Sequence, residues 1–204
     1  MTEPAVKHWD GVYVNKGIAA VSWFQARPET SLRLLAAFCA QAGSVIDVGA
    51  GASTLADELL ERGWNDVTVL DVSSAALDLV RRRLAERKVA VAVVVGDLLA
   101  WDPDRTYDVW HDRAVLHFLT QKSDRGRYVD SAARAVPPGG HLIIGAFAED
   151  GPTQCSGLST ARYTCQELVA VFKADFELVH AEREEHHTPD GVMQPFTWVV
   201  LRHR

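Results

Sequence analysis

The sequence is poor in the features that mark a secreted, metal-bound or membrane protein. Its cysteines number 3 in 204 residues. Cys39, Cys155 and Cys165 are scattered and form no Cys-x-x-Cys. Such spacing builds neither a disulfide framework nor a structural zinc site, and it fits a reducing compartment. No apolar run approaches the ~20 residues of a membrane span. Met1–Asp10 is polar and lacks an apolar signal core. A cytoplasmic protein with no membrane partner is therefore expected. Positive charge is also in deficit, with 21 Lys and Arg against 27 Asp and Glu and a net charge of −6. That balance argues against a broad phosphate-binding surface, so no nucleic-acid partner is expected. The basic cluster Arg81-Arg82-Arg83 has acidic neighbours and helical spacing, and reads as a solvated face. Internal repeats and low-complexity stretches are absent.

What is present is a regular alternation of elements in a length that fits one domain. With 48% apolar residues, one core is well supplied. Strands are predicted at Val45–Val48, Val67–Leu70, Val91–Val95, Tyr107–Trp110 and His141–Phe147. Helices are predicted between them: one at Thr54–Arg62 stopped by Gly63, one capped by Ser73 or Ser74 with Ala76, Leu77, Val80 and Leu84 inward, and one from about Arg125 to Ala135. An earlier helix carries Leu32, Leu34, Leu35 and Phe38 and ends near Gly43, and Thr164 caps a helix through about Lys173. Phe176–Arg183 and Phe196–Arg202 both alternate and flank the turn signal Thr188-Pro189-Asp190-Gly191, so they form an antiparallel pair. The whole reads as an α/β, Rossmann-like fold: a seven-stranded, mostly parallel sheet with one antiparallel C-terminal strand and helices on both faces. Residues 1–43 form an N-terminal lid and helix, and residues 44–204 the Rossmann-like core. Lys7–Gln25 shows no strong period and reads as a short helix or turn lying across the body of the domain.

The chemistry starts at Val45-Ile46-Asp47-Val48-Gly49-Ala50-Gly51-Ala52-Ser53, an apolar run entering a Gly-x-Gly turn. The second strand ends in Asp71 and the third in Gly96-Asp97-Leu98. Three strands thus present acids at their C-terminal ends, where open α/β sheets bind ligands. A dinucleotide fingerprint would place a third glycine where Thr54 stands. The layout instead suits S-adenosylmethionine (SAM), which has no pyrophosphate. Gly49 and Gly51 let backbone approach its methionine part, and Asp47 orients the ammonium. Asp71 suits the ribose hydroxyls, Asp97 the adenine amino group, and Val72 and Leu98 the faces of the ring. Residues 45–204 resemble the class I SAM-dependent methyltransferases: Val45–Ser53 their first motif, Asp71 the ribose-binding acid, Gly96-Asp97-Leu98 the adenine-side motif, and Pro138-Gly139-Gly140 the segment before their fifth strand. The resemblance implies methyl transfer as the activity and SAM as the cofactor.

The acceptor side is expected from the end of the fourth strand, the loop after the fifth and the N-terminal segment. His111, Asp112 and Arg113 stand together just past the fourth strand, with His117 following. His111 or His117 is a candidate proton acceptor, and Arg113 either orients an acidic substrate or pairs with Asp112; His111 also borders the cofactor. Trp9, Tyr13, Trp23 and Phe24 are candidate lid and substrate residues, and Cys155 either a soft substrate contact or an inert surface thiol. Glu184-Glu185-His186-His187 holds no metal on this reading, because adjacent strand residues point to opposite faces. The Asp112-Arg113 segment resembles thiopurine and thiol methyltransferases; the Trp9-Asp10 and Trp23-Phe24 pairs resemble lysine methyltransferases of the elongation-factor type. Methylation of a small molecule at sulfur or nitrogen is expected, with protein-lysine methylation as the alternative and a non-catalytic SAM-binding protein as a third reading.

Overall fold

The computed structural model describes residues 3–40, 43–87 and 91–204. Its element order is α1 (Glu3–Lys16), a 3-10 turn η1 (Ile18–Ala20), α2 (Glu29–Phe38), β1 (Val45–Val48), α3 (Leu55–Glu61), β2 (Val67–Asp71), α4 (Ser74–Glu86), β3 (Ala92–Val95), β4 (Val109–Arg113), a second 3-10 turn η2 (Leu116–Phe118), α5 (Lys122–Ala135), β5 (His141–Phe147), β6 (Gln154–Cys155), β7 (Leu158–Ser159), α6 (Cys165–Phe172), β8 (Phe176–His187) and β9 (Met193–His203). Seven strands form one sheet in the order β3-β2-β1-β4-β5-β9-β8. The first five are parallel, and β9 runs antiparallel to both β5 and β8. The sheet is the expected one, with a single reversed strand.

Alternation divides the side chains between two layers. Ile46, Trp110, Leu142 and Ile144 pack with Tyr128 and Ala132 of α5 and Leu168 and Phe172 of α6. Val45, Val109 and Ile143 pack on the other face with Leu34 and Leu35 of α2 and Leu55 and Leu59 of α3. Burial on both faces explains why β1 and β2 are mostly apolar and buried along their whole length, with Asp47, Thr68 and Asp71 as the polar exceptions. Helix starts follow local chemistry. The Ser73 hydroxyl accepts from Ala76 N at 3.1 Å, and Thr164 with Glu167 forms a complete capping box.

Four departures matter. The N-terminal segment is a 14-residue helix, not a short turn; Val14, on that helix, is 72% exposed, and no single apolar stripe announces it. The helix expected to run towards Gly43 ends at Phe38, where Cys39 turns extended; Gln41 and Ala42 lie outside the described residues, as do Met1 and Thr2 of the polar N-terminus. The loop 148–163 carries the small hairpin β6–β7. Most consequentially, β4 extends through His111, Asp112 and Arg113. Those three residues are therefore in the sheet, and successive ones point to opposite faces.

Candidate functional site

A cavity of about 820 Å³ opens at the C-terminal ends of the parallel strands, with a second of about 560 Å³ beside it. Tyr13, Trp23, Gly49 and Arg113 border both. The turn after β1 is built for close approach. Gly49 and Gly51 have φ of +61° and +54°. A Cβ would lie 1.9 Å from Val115 Cγ2 at Gly49, and 2.1 Å from the Tyr13 hydroxyl at Gly51. Asp71 closes this turn: its Oδ2 accepts from Gly51 N at 2.8 Å and its Oδ1 from Ser73 N at 2.7 Å. The Val72 N–H also acts on the Asp71 carboxylate, which keeps lone-pair capacity for a ligand beyond these backbone donors. Burial pushes its carboxyl up to about 6, against the lowering effect of those N–H bonds. Val72, Gly96 and Leu98 line the larger cavity beside it. Asp97 shapes the next turn by accepting from Leu99 N at 3.0 Å.

Asp47 and His111 face each other across β1 and β4, where they are register partners. His111 Nδ1 lies 2.7 Å from Asp47 Oδ1, and Nε2 lies 2.8 Å from Ser31 Oγ on α2. One tautomer satisfies all three: Nδ1–H donates to the carboxylate and Nε2 accepts the serine hydroxyl proton. This corrects the expectation that His111 is a proton acceptor for substrate. Both ring nitrogens are engaged, and the ring borders only the smaller cavity. It orients Asp47.

Asp112 is also corrected. Its side chain leaves the opposite face, fully buried, where Oδ1 accepts from Val115 N and Oδ2 from Leu116 N and the Tyr128 hydroxyl, at 2.9, 3.1 and 2.6 Å. It anchors η2 and does not pair with Arg113. Arg113, on the cavity face, donates from Nη1 to the Trp23 carbonyl at 2.9 Å and lies 4.8 Å over the Phe196 ring. His117 is wholly buried and stacked on Phe147 at 4.1 Å. Burial, with the Arg113 charge adding to it, pushes its pKa down to about 3. Phe147 N donates to its Nδ1 at 3.4 Å, leaving the ring proton on Nε2, which lacks a partner. His117 is therefore neutral, with a buried and unpartnered Nε2–H, in the wall of the larger cavity.

Trp9 packs edge-on to Trp23 and Phe118, and Trp23 Nε1 donates to the Tyr13 hydroxyl at 3.3 Å. All three of Trp9, Tyr13 and Trp23 wall the larger cavity, whereas Phe24 reaches only the smaller. Helix α1 is tied down by Asp10, which accepts from Ser73 Oγ at 2.7 Å and Ala75 N at 3.2 Å. Cys155 is buried in the cavity wall, so the surface-thiol reading fails. Among the described residues no cluster of His, Cys, Asp and Glu is arranged to hold a metal, and no helix is long and apolar enough to cross a membrane. Sequence reasoning missed Ser31, Phe147, Gln194 and Phe196. Phe196 was legible only as the start of a strand, Gln194 fell in the segment before it, and Ser31 lay in the first turn of a helix; β9 pairing and the packing of α2 on the sheet bring them to the site.

Residues 45–140 match the family described as a methyltransferase domain. The chain is 32% identical over 127 residues to the ubiquinone biosynthesis O-methyltransferase of Alkalilimnicola ehrlichii, covering 61% of this chain and 49% of that protein, so it spans about half that relative's length. It is 25% identical over 189 residues to EEF1A lysine methyltransferase 2 of Danio rerio, covering 85% and 75% of the two chains. Among solved structures, one described as the conversion of a disulfide bond into a thioacetal group during echinomycin biosynthesis superposes with a TM-score of 0.79 at 18% identity, covering 97% and 91%. The Burkholderia thailandensis 1,6-didemethyltoxoflavin-N1-methyltransferase, bound to that substrate and S-adenosylhomocysteine, superposes with a TM-score of 0.71 at 21% identity, covering 98% and 84%. At those identities the superpositions establish the shared fold.

Proposed function

We propose, from the match of residues 45–140 to the methyltransferase-domain family and the shared fold, that the chain is a class I SAM-dependent methyltransferase and that it methylates a small molecule at sulfur or nitrogen. SAM supplies a methyl group already activated by its sulfonium. On this reading Asp71 receives the ribose hydroxyls and Val72 and Leu98 flank the adenine; Asp97, which is not among the cavity-lining residues, is assigned to the adenine amino edge from its place beside Gly96 and Leu98. Asp47, held by His111, faces the ammonium, and Gly49, which borders both cavities, marks where the methionine chain passes. We read residues 1–204 as one methyltransferase domain, with α1 and Trp23 closing the cavity against water.

The observation that carries the reading is the character of the remaining wall. Trp9, Trp23, Phe118, Phe147 and Phe196 supply its apolar surface, and Arg113 is its permanent charge. An aromatic or alkyl acceptor fits there, whereas a lysine ammonium meets a like charge. His117, neutral and donating through Nε2, suits an acceptor that arrives with its own lone pair, as a thiolate or an uncharged amine does. The solved structures named for thioacetal formation and for N1-methylation agree with sulfur or nitrogen. The likeness to a lysine methyltransferase over 85% of the chain is what favours the second reading, protein-lysine methylation.

The test begins with calorimetric titration by SAM, S-adenosylhomocysteine and NAD. It continues with transfer of labelled methyl to a panel of thiols and N-heterocycles, set against elongation factor 1A. Micromolar binding of the first two ligands and label on small acceptors are expected. Label confined to the protein substrate would overturn the small-molecule reading.

A further inference from the structure

Arg113 ends β4 with at least three of its five N–H donors, those on Nε and Nη2, unmet. Nη1 is taken by the Trp23 carbonyl, and the guanidinium lies against Phe196. Nε and Nη2 are buried and have no hydrogen-bond partner. These two N–H groups form one edge of the guanidinium, the fork that receives both oxygens of a carboxylate. The protein's own acids are committed elsewhere. Glu184 accepts from Gln25 and Trp198, Asp47 faces His111, and Asp112 lies on the other side of the sheet. Among the described residues no carboxylate is close enough to form an ion pair with Arg113. A buried, unpaired charge is strongly destabilising unless something completes it. Burial lowers the guanidinium's pKa, with Glu184 and Asp47 opposing that from a distance.

We infer that the methyl acceptor carries a carboxylate, and that Arg113 receives it through Nε and Nη2 while the acceptor's apolar body lies among Trp23, Phe147 and Phe196. The inference rests on reading the larger cavity as the acceptor site. The competing anion is the carboxylate of the cofactor's methionine part. The guanidinium's position over Phe196 of β9, across β5 from β4, turns it away from the nucleoside side and towards the aromatic wall; Arg113 also borders the smaller cavity with Asp47 and Gly49, so the S-adenosylhomocysteine affinity of the Arg113 variant is what separates the two carboxylates. His117 Nε2–H, in the same wall, is available as a further donor.

The experiment needs no turnover. Protein saturated with S-adenosylhomocysteine is titrated with benzoate, benzamide and benzyl alcohol, following the fluorescence of the cavity tryptophans. Benzoate is expected to bind about ten- to a hundredfold more tightly than the two neutral analogues. Arg113→Gln should erase that preference while S-adenosylhomocysteine affinity and melting temperature stay near wild type; Arg113→Lys should restore part of it. No preference for benzoate in the wild type overturns the proposal. So does a preference that survives in Arg113→Gln, or a variant that loses S-adenosylhomocysteine affinity instead, which would assign Arg113 to the cofactor. A second arm compares methylation of 2-mercaptobenzoate and thiophenol, with a kcat/KM ratio of at least about ten expected. Carboxylate-selective binding without methylation of any small acceptor would leave Arg113 as an anion site and refute the small-molecule function. Methylation of thiophenol as fast as of 2-mercaptobenzoate would refute the carboxylate requirement and leave the function standing.

Discussion

Neutralising Asp71, by acid or by substitution, is expected to weaken cofactor binding without unfolding the protein. Burial raises its carboxyl to about 6, so it is almost fully ionised at pH 7.5 and about one-tenth ionised at pH 5. If the ribose hydroxyls donate to the ionised form, affinity for S-adenosylhomocysteine falls about tenfold across that interval. Asp71→Asn removes the charge permanently. Charge-assisted bonds are worth about 1.5–3 kcal/mol, so the variant should bind about ten- to a hundredfold more weakly at pH 7.5 and show no such pH slope. The stability effect runs differently. A raised carboxyl pKa contributes stability that is complete below the unfolded value of 3.8 and is lost as pH rises through about 6. At pH 7.5 the buried carboxylate is thus a cost, offset in part by the N–H groups of Gly51 and Ser73. Asparagine removes that cost but turns an amide NH₂ towards one of those donors, and the two changes should cancel to within about 1 kcal/mol. Calorimetric titration of both proteins at pH 5, 6 and 7.5, with melting curves alongside, separates the two effects. A wild-type affinity that is flat with pH, or a slope retained by Asp71→Asn, would refute the reasoning.

Two further outcomes concern the supporting residues. His111→Phe strips Asp47 of its ring donor in a buried site and should cost about 2–3 kcal/mol, while Ser31→Ala should cost about 1 kcal/mol. Urea denaturation reads both as midpoint shifts with unchanged slope, and losses under about 0.5 kcal/mol would mean that the Ser31–His111–Asp47 chain does not hold the carboxylate. Ala114, at the corner after β4, has φ of +76°. Ala114→Gly relieves that left-handed strain and should stabilise the protein by about 0.5–1 kcal/mol net of the added chain entropy, and a lowered melting temperature would contradict the strain.

Much of the fold was legible because its signals are local. The buried strands announce themselves as apolar runs, Ser73 and Thr164 mark helix starts by hydroxyls that must meet orphan N–H groups, and the terminal alternation fixes the antiparallel return of β9. The cavity residues at the ends of β1, β2 and β3 are near-neighbour features of the same kind: Gly49, Asp71 and Leu98 lie at or within three positions of those strand ends. Roles at the end of β4 were not. One strand boundary, placed at Trp110 by the sequence and at Arg113 in the structure, decided whether His111, Asp112 and Arg113 formed one cluster or were split between two faces. Helix α1 likewise has no apolar stripe of its own and takes its place from contacts with α4 and from Asp10 at Ser73. The order of elements, the doubly covered sheet and the glycine and acidic turns at the strand ends depend on near neighbours along the chain and were legible there. The burial of Asp112 beneath η2, the pairing of His111 with Asp47 and the unmatched edge of Arg113 in the cavity wall came from folding alone. Those outcomes depend on partners such as Trp23, Ser31, Tyr128 and Phe196, which are distant in sequence and are brought together by packing across the sheet.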